Sequence, residues 1–143
     1  MSKIAIYLNF QGNTDDAFNF YKTVFRTEFS SPIMRIGDLP KDPNGPTLSE
    51  ADLNCVMHVA LPIIGGTELM GTDMLESLGH KLVVGNNVTI SLQLDSKDEA
   101  DTFYAALSDE GSEKNSMRDE FWGYWGSCMD KFGIRWMFNV MNN

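Results

Sequence analysis

Only two imidazoles occur in the chain, His58 and His80, together with two thiols, Cys55 and Cys128. The thiols fit neither a disulfide framework nor a CxxC metal pair, and both lie in apolar, strand-like segments, so they read as buried thiols. Ser91 has no GxSxG turn around it, and a hydrolytic triad with His58 is therefore discounted. Gly65-Gly66 reads as a turn between strands and carries no phosphate-loop pattern. No Gly-rich loop follows a strand in the way a nucleotide or methyl-donor site requires. His58 is open to two readings, a neutral general base or a structural histidine held by a hydrogen bond. His80 falls between the two halves of the chain and reads as exposed. Trp122, Tyr124 and Trp125 gather as an aromatic cluster, suited either to stacking on a planar ligand or to core or dimer packing.

The elements that must position these groups repeat. Asp15-Asp16-Ala17-Phe18-Asn19-Phe20-Tyr21 recurs as Asp98-Glu99-Ala100-Asp101-Thr102-Phe103-Tyr104. Ala17, Phe20, Tyr21 and Val24 predict an apolar helix face, as do Ala100, Phe103, Tyr104 and Leu107. Asn13 or Thr14 caps the first helix, and Ser96 with Glu99 forms a capping box on the second. Before each helix lies an alternating strand, Ile4-Ile6-Leu8-Phe10 and Val88-Ile90-Leu92-Leu94, with these residues facing the helix. Gly66-Thr67-Glu68-Leu69-Met70 recurs as Gly133-Ile134-Arg135-Trp136-Met137. The unequal spacing of the two matches is accounted for by Gly37 to Asp52, whose Pro40, Pro43, Gly45 and Pro46 predict a long loop in the first unit only.

Further strands are expected over 28–36, 54–63, 111–117 and 121–129. The fold class is thus α+β, one domain over 1–143 built of two βαβββ modules. The modules cover 1–73 and 86–141, with 74–85 as the linker.

Composition bounds the function. The net charge of −9, with only 11 Lys and Arg spread along the chain, argues against a nucleic-acid surface. No apolar run is long enough to span a bilayer. MSKIAIYLNF lacks a long apolar stretch ending in a small-residue cleavage site, so the expected location is cytoplasmic.

Tyr7-Leu8-Asn9-Phe10, Met57-His58-Val59-Ala60-Leu61, Phe121-Trp122-Gly123, Asp130-Lys131-Phe132-Gly133-Ile134 and Trp136-Met137-Phe138-Asn139 carry a family resemblance. The chain resembles a PhnB-like member of the vicinal oxygen chelate superfamily, which includes glyoxalase I, bleomycin and fosfomycin resistance proteins and extradiol dioxygenases. The resemblance implies strongly curved mixed sheets around a cleft, helices on the outer faces, and frequent homodimers. It also implies a divalent metal held by one side chain from the first and one from the last strand of each module, acting as a Lewis acid.

Carried onto this sequence, those positions are Ala5, Met70, Thr89 and Met137. None is a His, Asp, Glu or Cys, so no metal and no other cofactor is expected. The cleft lining that alternation then assigns includes Tyr7, Asn9, Glu68, Thr72, Ser91, Gln93, Arg135 and Asn139, around Met70, Thr89 and Met137. Trp122 and Trp125 stand as further ligand contacts. Arg135 either pairs with a ligand carboxylate or phosphonate, or bridges Glu68, its counterpart in the repeat.

The leading expectation is a metal-free protein that binds a small organic molecule, as a homodimer, with no nucleic-acid or membrane partner. The alternatives are a metal-dependent lyase, isomerase or dioxygenase with relocated ligands at His58, Glu68 and Asp73, or a ligand-free structural dimer. His58 and Glu68 are the candidates for catalysis.

Overall fold

The computed structural model describes residues 1–142. The chain divides into two compact units, residues 1–83 and 84–143, the last residue of the second lying outside the described range. In the first unit, strand β1 (Ile6–Phe10) leads into helix α1 (Thr14–Phe25), then β2 (Met34–Arg35), helix α2 (Glu50–Asn54), β3 (Val56–Pro62) and β4 (Glu68–Asp73). In the second, β5 (Ile90–Gln93) precedes helix α3 (Lys97–Ser108), β6 (Ser112–Glu120), β7 (Gly123–Met129) and β8 (Arg135–Met141). Each unit holds a four-stranded sheet, ordered β1-β4-β3-β2 and β5-β8-β7-β6. In both, the first strand runs parallel to the last and the other neighbours are antiparallel. The sequence repeat is therefore matched by one topology used twice.

Alternation decides which sheet face each helix covers. Leu8, Phe10, Val59, Leu61 and Leu69 are buried on the α1 side, while Tyr7 and Asn9 stay exposed on the other face. Gly71 lets the helix approach: a Cβ there would sit 2.5 Å from Phe18 Cε2. Phe18 is fully buried and held edge-on by Phe10 and Tyr21, so its ring has no room to give. Gly71→Ala is expected to cost about 1–3 kcal/mol by overpacking, read as a lowered thermal midpoint with native circular dichroism retained.

Several expectations are corrected. Ile4 and Val88 are 85% and 72% exposed, because β1 and β5 begin only at Ile6 and Ile90 and no helix covers the preceding residues. The buried stripe of α1 runs through Thr14, Ala17, Phe18, Tyr21 and Phe25, leaving Phe20 and Val24 half-buried at its margin. The strand expected over 28–36 shrinks to Met34–Arg35; Pro32 has no N–H to give the ladder, and Ser30 N–H alone reaches Ala60 O. The long loop of the first unit contains α2, capped by Ser49 Oγ, which accepts from Asp52 N–H at 3.1 Å. Arg35 ties this loop back with two bonds to the Asp15 carboxylate, at 2.8 and 3.0 Å. Residues 121–122 lie in the turn between β6 and β7 instead of in a strand.

Candidate functional site

Among the described residues, each sheet has one face covered by a helix, α1 or α3, and one face that no helix of its own unit covers. On the helix-free face of the first unit, Tyr7 is in register with Met70, and Met70 with Ala60. Asn9 is in register with Thr72, and His58 stands two residues before Ala60 on β3, opposite Met34 of β2. Tyr7 Oη lies 3.0 Å from His58 Nδ1, the two rings tilted with centroids 5.8 Å apart. A small residue at Ala60 leaves the space that this reach crosses. Partial desolvation raises the pKa of the Tyr7 phenol, although the side chain is 48% exposed.

Glu68 occupies the next position along β4 on the same face. Its carboxylate accepts from Lys3 Nζ at 2.8 Å and Ser30 Oγ at 2.5 Å. The bond from Lys3, then that from Ser30, holds its pKa below the usual carboxylate range. Asp73 belongs to the other face. Its carboxylate accepts from Gly12 N–H, Thr14 N–H, Thr14 Oγ1 and Val56 N–H at 2.6–3.2 Å, so it caps α1 from β4. The cap expected from Asn13 makes no side-chain bond. His58, Glu68 and Asp73 therefore do not converge as a relocated ligand set, and among the described residues no three His, Cys, Asp or Glu side chains are placed to hold a metal ion.

The second unit presents a different floor. Ser91 is in register with Met137, and Met137 with Ser127. Gln93 is in register with Asn139, and Asn139 with Trp125. Asn139 Nδ2 donates to Gln93 Oε1 at 3.1 Å, and Gln93 Nε2 donates to Ser91 Oγ at 2.7 Å. Arg135 pairs with Glu113 inside its own unit, as Glu68 does with Lys3, so both members of the expected Glu68–Arg135 bridge have local partners. Arg135 Nε and Asn139 Oδ1 are buried without a hydrogen-bond partner. Thr89 precedes β5 and is exposed.

The aromatic cluster loses one member and gains another. Trp122 and Trp125 sit 6.2 Å apart, and Phe121 packs on Trp122 at 4.8 Å. Tyr124 points to the helix side, where its hydroxyl donates to Asp101 at 2.6 Å. Arg118 lies 5.3 Å over the Trp125 ring, a cation–π contact the sequence did not reveal. Its strand β6, SEKNSMRDE, has one apolar residue in nine and so carries no hydrophobic period to locate it.

The thiols resolve unequally. Cys128 is buried, which together with Asp130 pushes its pKa up to about 12, so it stays a protonated core group. Cys55 is half-buried at the end of α2, a correction to its expected burial.

The register also tests the metal positions that the resemblance implies. Tyr7 and Ser91, two residues beyond Ala5 and Thr89, are the first-strand neighbours of Met70 and Met137. Either choice of first-strand residue leaves thioethers, a methyl group, a phenol or hydroxyls at those positions. Such a set does not fit a hard or borderline divalent ion.

Comparison with known proteins agrees with this fold. The family described as 3-demethylubiquinone-9 3-methyltransferase matches residues 2–139. Protein YjdN of Escherichia coli is 28% identical over 141 residues, covering 94% of this chain and 92% of YjdN. The structure of PA1353 from Pseudomonas aeruginosa aligns over 100% of both chains with 28% identity and a TM-score of 0.83. The PhnB protein of Bacillus cereus aligns over 97% of this chain and 99% of its own, with 25% identity and a TM-score of 0.74. A glyoxylase/bleomycin resistance protein/dioxygenase domain from Frankia, at 12% identity and a TM-score of 0.64, shares the fold alone.

Proposed function

Because the chain belongs to the 3-demethylubiquinone-9 3-methyltransferase family and has the glyoxalase/bleomycin-resistance fold, we propose that its helix-free sheet faces bind a small organic molecule without a resident metal. The observation that carries this reading is the register of Met70 with Tyr7 and of Met137 with Ser91, which sets thioethers at the centre of both floors. On the first floor stand Asn9 and His58, and on the second Ser91 and Gln93 with the Trp122–Trp125 pair. An apolar floor with sparse, oriented polar groups is the usual lining of a small-molecule site.

Binding is favoured over turnover by the chemistry of the same residues. The superfamily's enolate-type chemistry depends on a Lewis acid, and no side chain at these positions supplies a ligand for one. Methyl transfer, which the family description names, would need a methyl-donor site, and the chain has no Gly-rich loop of the kind that cradles a nucleotide. His58 and Glu68 then serve as polar contacts. The protein acts as a dimer in this reading.

Purified protein soaked in turn with zinc, nickel, manganese and iron, then desalted, is expected to retain well under one ion per chain by elemental analysis. Retention of a full equivalent that disappears in His58→Ala or Glu68→Ala would replace this reading by the metal-dependent enzyme.

A further inference from the structure

We infer that Tyr7 and His58 form a hydrogen-bond donor site for a neutral carbonyl group, an inference that rests on the small-molecule reading above and gives its ligand a chemical class. The phenol of Tyr7 on β1 crosses the Met70–Ala60 pair to meet His58 Nδ1 on β3. A phenol donates more strongly than it accepts, and an unprotonated ring nitrogen is a good acceptor. Across this 3.0 Å contact Tyr7 Oη is therefore assigned as donor and Nδ1 as acceptor. A neutral imidazole has one proton to place, and with Nδ1 accepting, that proton sits on Nε2. Nε2 meets no partner among the described residues and is not sealed from solvent. The pair therefore presents an N–H whose direction Tyr7 fixes.

The acceptor that suits this donor is set by its neighbour. Glu68 lies on the same face, and the bonds from Lys3 and Ser30 favour its charged form. Lys3 is already paired with Glu68, so a carboxylate or phosphonate approaching His58 meets a carboxylate whose cation is engaged. A carbonyl oxygen takes the same N–H without needing a counter-charge. Met70 and Ala60 supply an apolar floor for the hydrocarbon part of such a ligand. Tyr7 and His58 act as a donor and not as a proton relay, because a phenol is too weak an acid to pass its proton to a neutral imidazole.

Two near-isosteric probes, methyl propyl ketone and butyrate, test this on the full chain. Long-range imidazole nitrogen–proton correlation spectra, taken where His58 is neutral, read its tautomer and its contacts. The free protein is expected to carry its proton on Nε2. The ketone should shift that resonance saturably, and butyrate should bind about threefold more weakly or worse. Tyr7→Phe should lose the fixed tautomer and about threefold or more of the ketone affinity, while Glu68→Gln should narrow the gap between the probes.

A proton on Nδ1 in the free protein, or butyrate binding at His58 as well as the ketone does, overturns the inference. Ketone-induced shifts at the Trp125 indole with His58 unmoved would sink this site and leave the small-molecule reading standing. Shifts at neither, with no organic molecule retained by the protein, would remove both.

Discussion

Asp73→Ala is expected to destabilise the first unit by about 3–5 kcal/mol, the range for breaking a buried, hydrogen-bonded charge site. The carboxylate is only 6% exposed and accepts from three backbone N–H groups and the Thr14 hydroxyl. These donors come from Gly12 in the link between β1 and α1, from Thr14 at the start of α1 and from the first residue of β3. One side chain at the end of β4 thus holds the helix entry and a neighbouring strand together. Alanine leaves all of these donors without their acceptor, and Thr14 is fully buried, so water cannot replace the bond readily. Asp73→Asn keeps the shape and one acceptor but turns an NH2 group on donors, so an intermediate loss of about 2 kcal/mol is expected. The midpoint of urea unfolding, followed by circular dichroism, measures both. A loss below about 1 kcal/mol for the alanine variant would mean that the α1 cap is made elsewhere.

A comparable loss, about 3–5 kcal/mol, is expected for Asp130→Ala in the second unit. Asp130 is 2% exposed. Its Oδ1 accepts from Phe132 N–H at 2.8 Å and Ile134 N–H at 3.0 Å, which shapes the turn from β7 into β8. Its Oδ2 accepts from Trp136 Nε1 at 2.9 Å, and Trp136 is the largest fully buried side chain. Trp136→Phe removes that donor from a buried carboxylate and should cost about 1–3 kcal/mol beyond any packing change. The double variant should cost less than the sum of the singles, because both remove the same bond. Strict additivity in the cycle would show that the indole and the carboxylate act independently.

The two carboxylates also show what a repeat preserves. Asp73 closes its unit from the end of the last strand, and Asp130 from the turn before it. Topology recurs between the units while the polar anchors do not. That asymmetry explains why the fold was more legible in the sequence than the site. Alternation in β1 and β5 and the apolar stripes of α1 and α3 are hydrophobic signals, and they name the helix-covered face without reference to partners. The same period placed Tyr7, Asn9, Met70, Ser91, Gln93 and Met137 on the opposite face, where the structure has them.

What escaped the sequence depends on register and on contacts between distant residues. The Tyr7–His58 bond joins strands that are separated in sequence and are not neighbours in the sheet. Glu113 and Arg118 sit on an exposed edge strand with bulges at two places, where one-residue shifts make facing assignments unreliable. The role of Asp73 was misread because a carboxylate near the end of a strand looks the same in sequence whether it faces a ligand or caps a helix. Tyr124 was grouped with Trp122 and Trp125 by adjacency; the alternation of β7 puts it on the face opposite Trp125.

Native mass spectrometry of protein purified without added metal or chelator weighs the protein together with whatever it carries. The expected species carries as extra mass a small organic molecule released by mild activation, or none, and no mass for a divalent ion. A chain that arrives with one tightly held metal ion, lost only under denaturing conditions, would contradict the claim that methionine floors have taken the place of a metal centre.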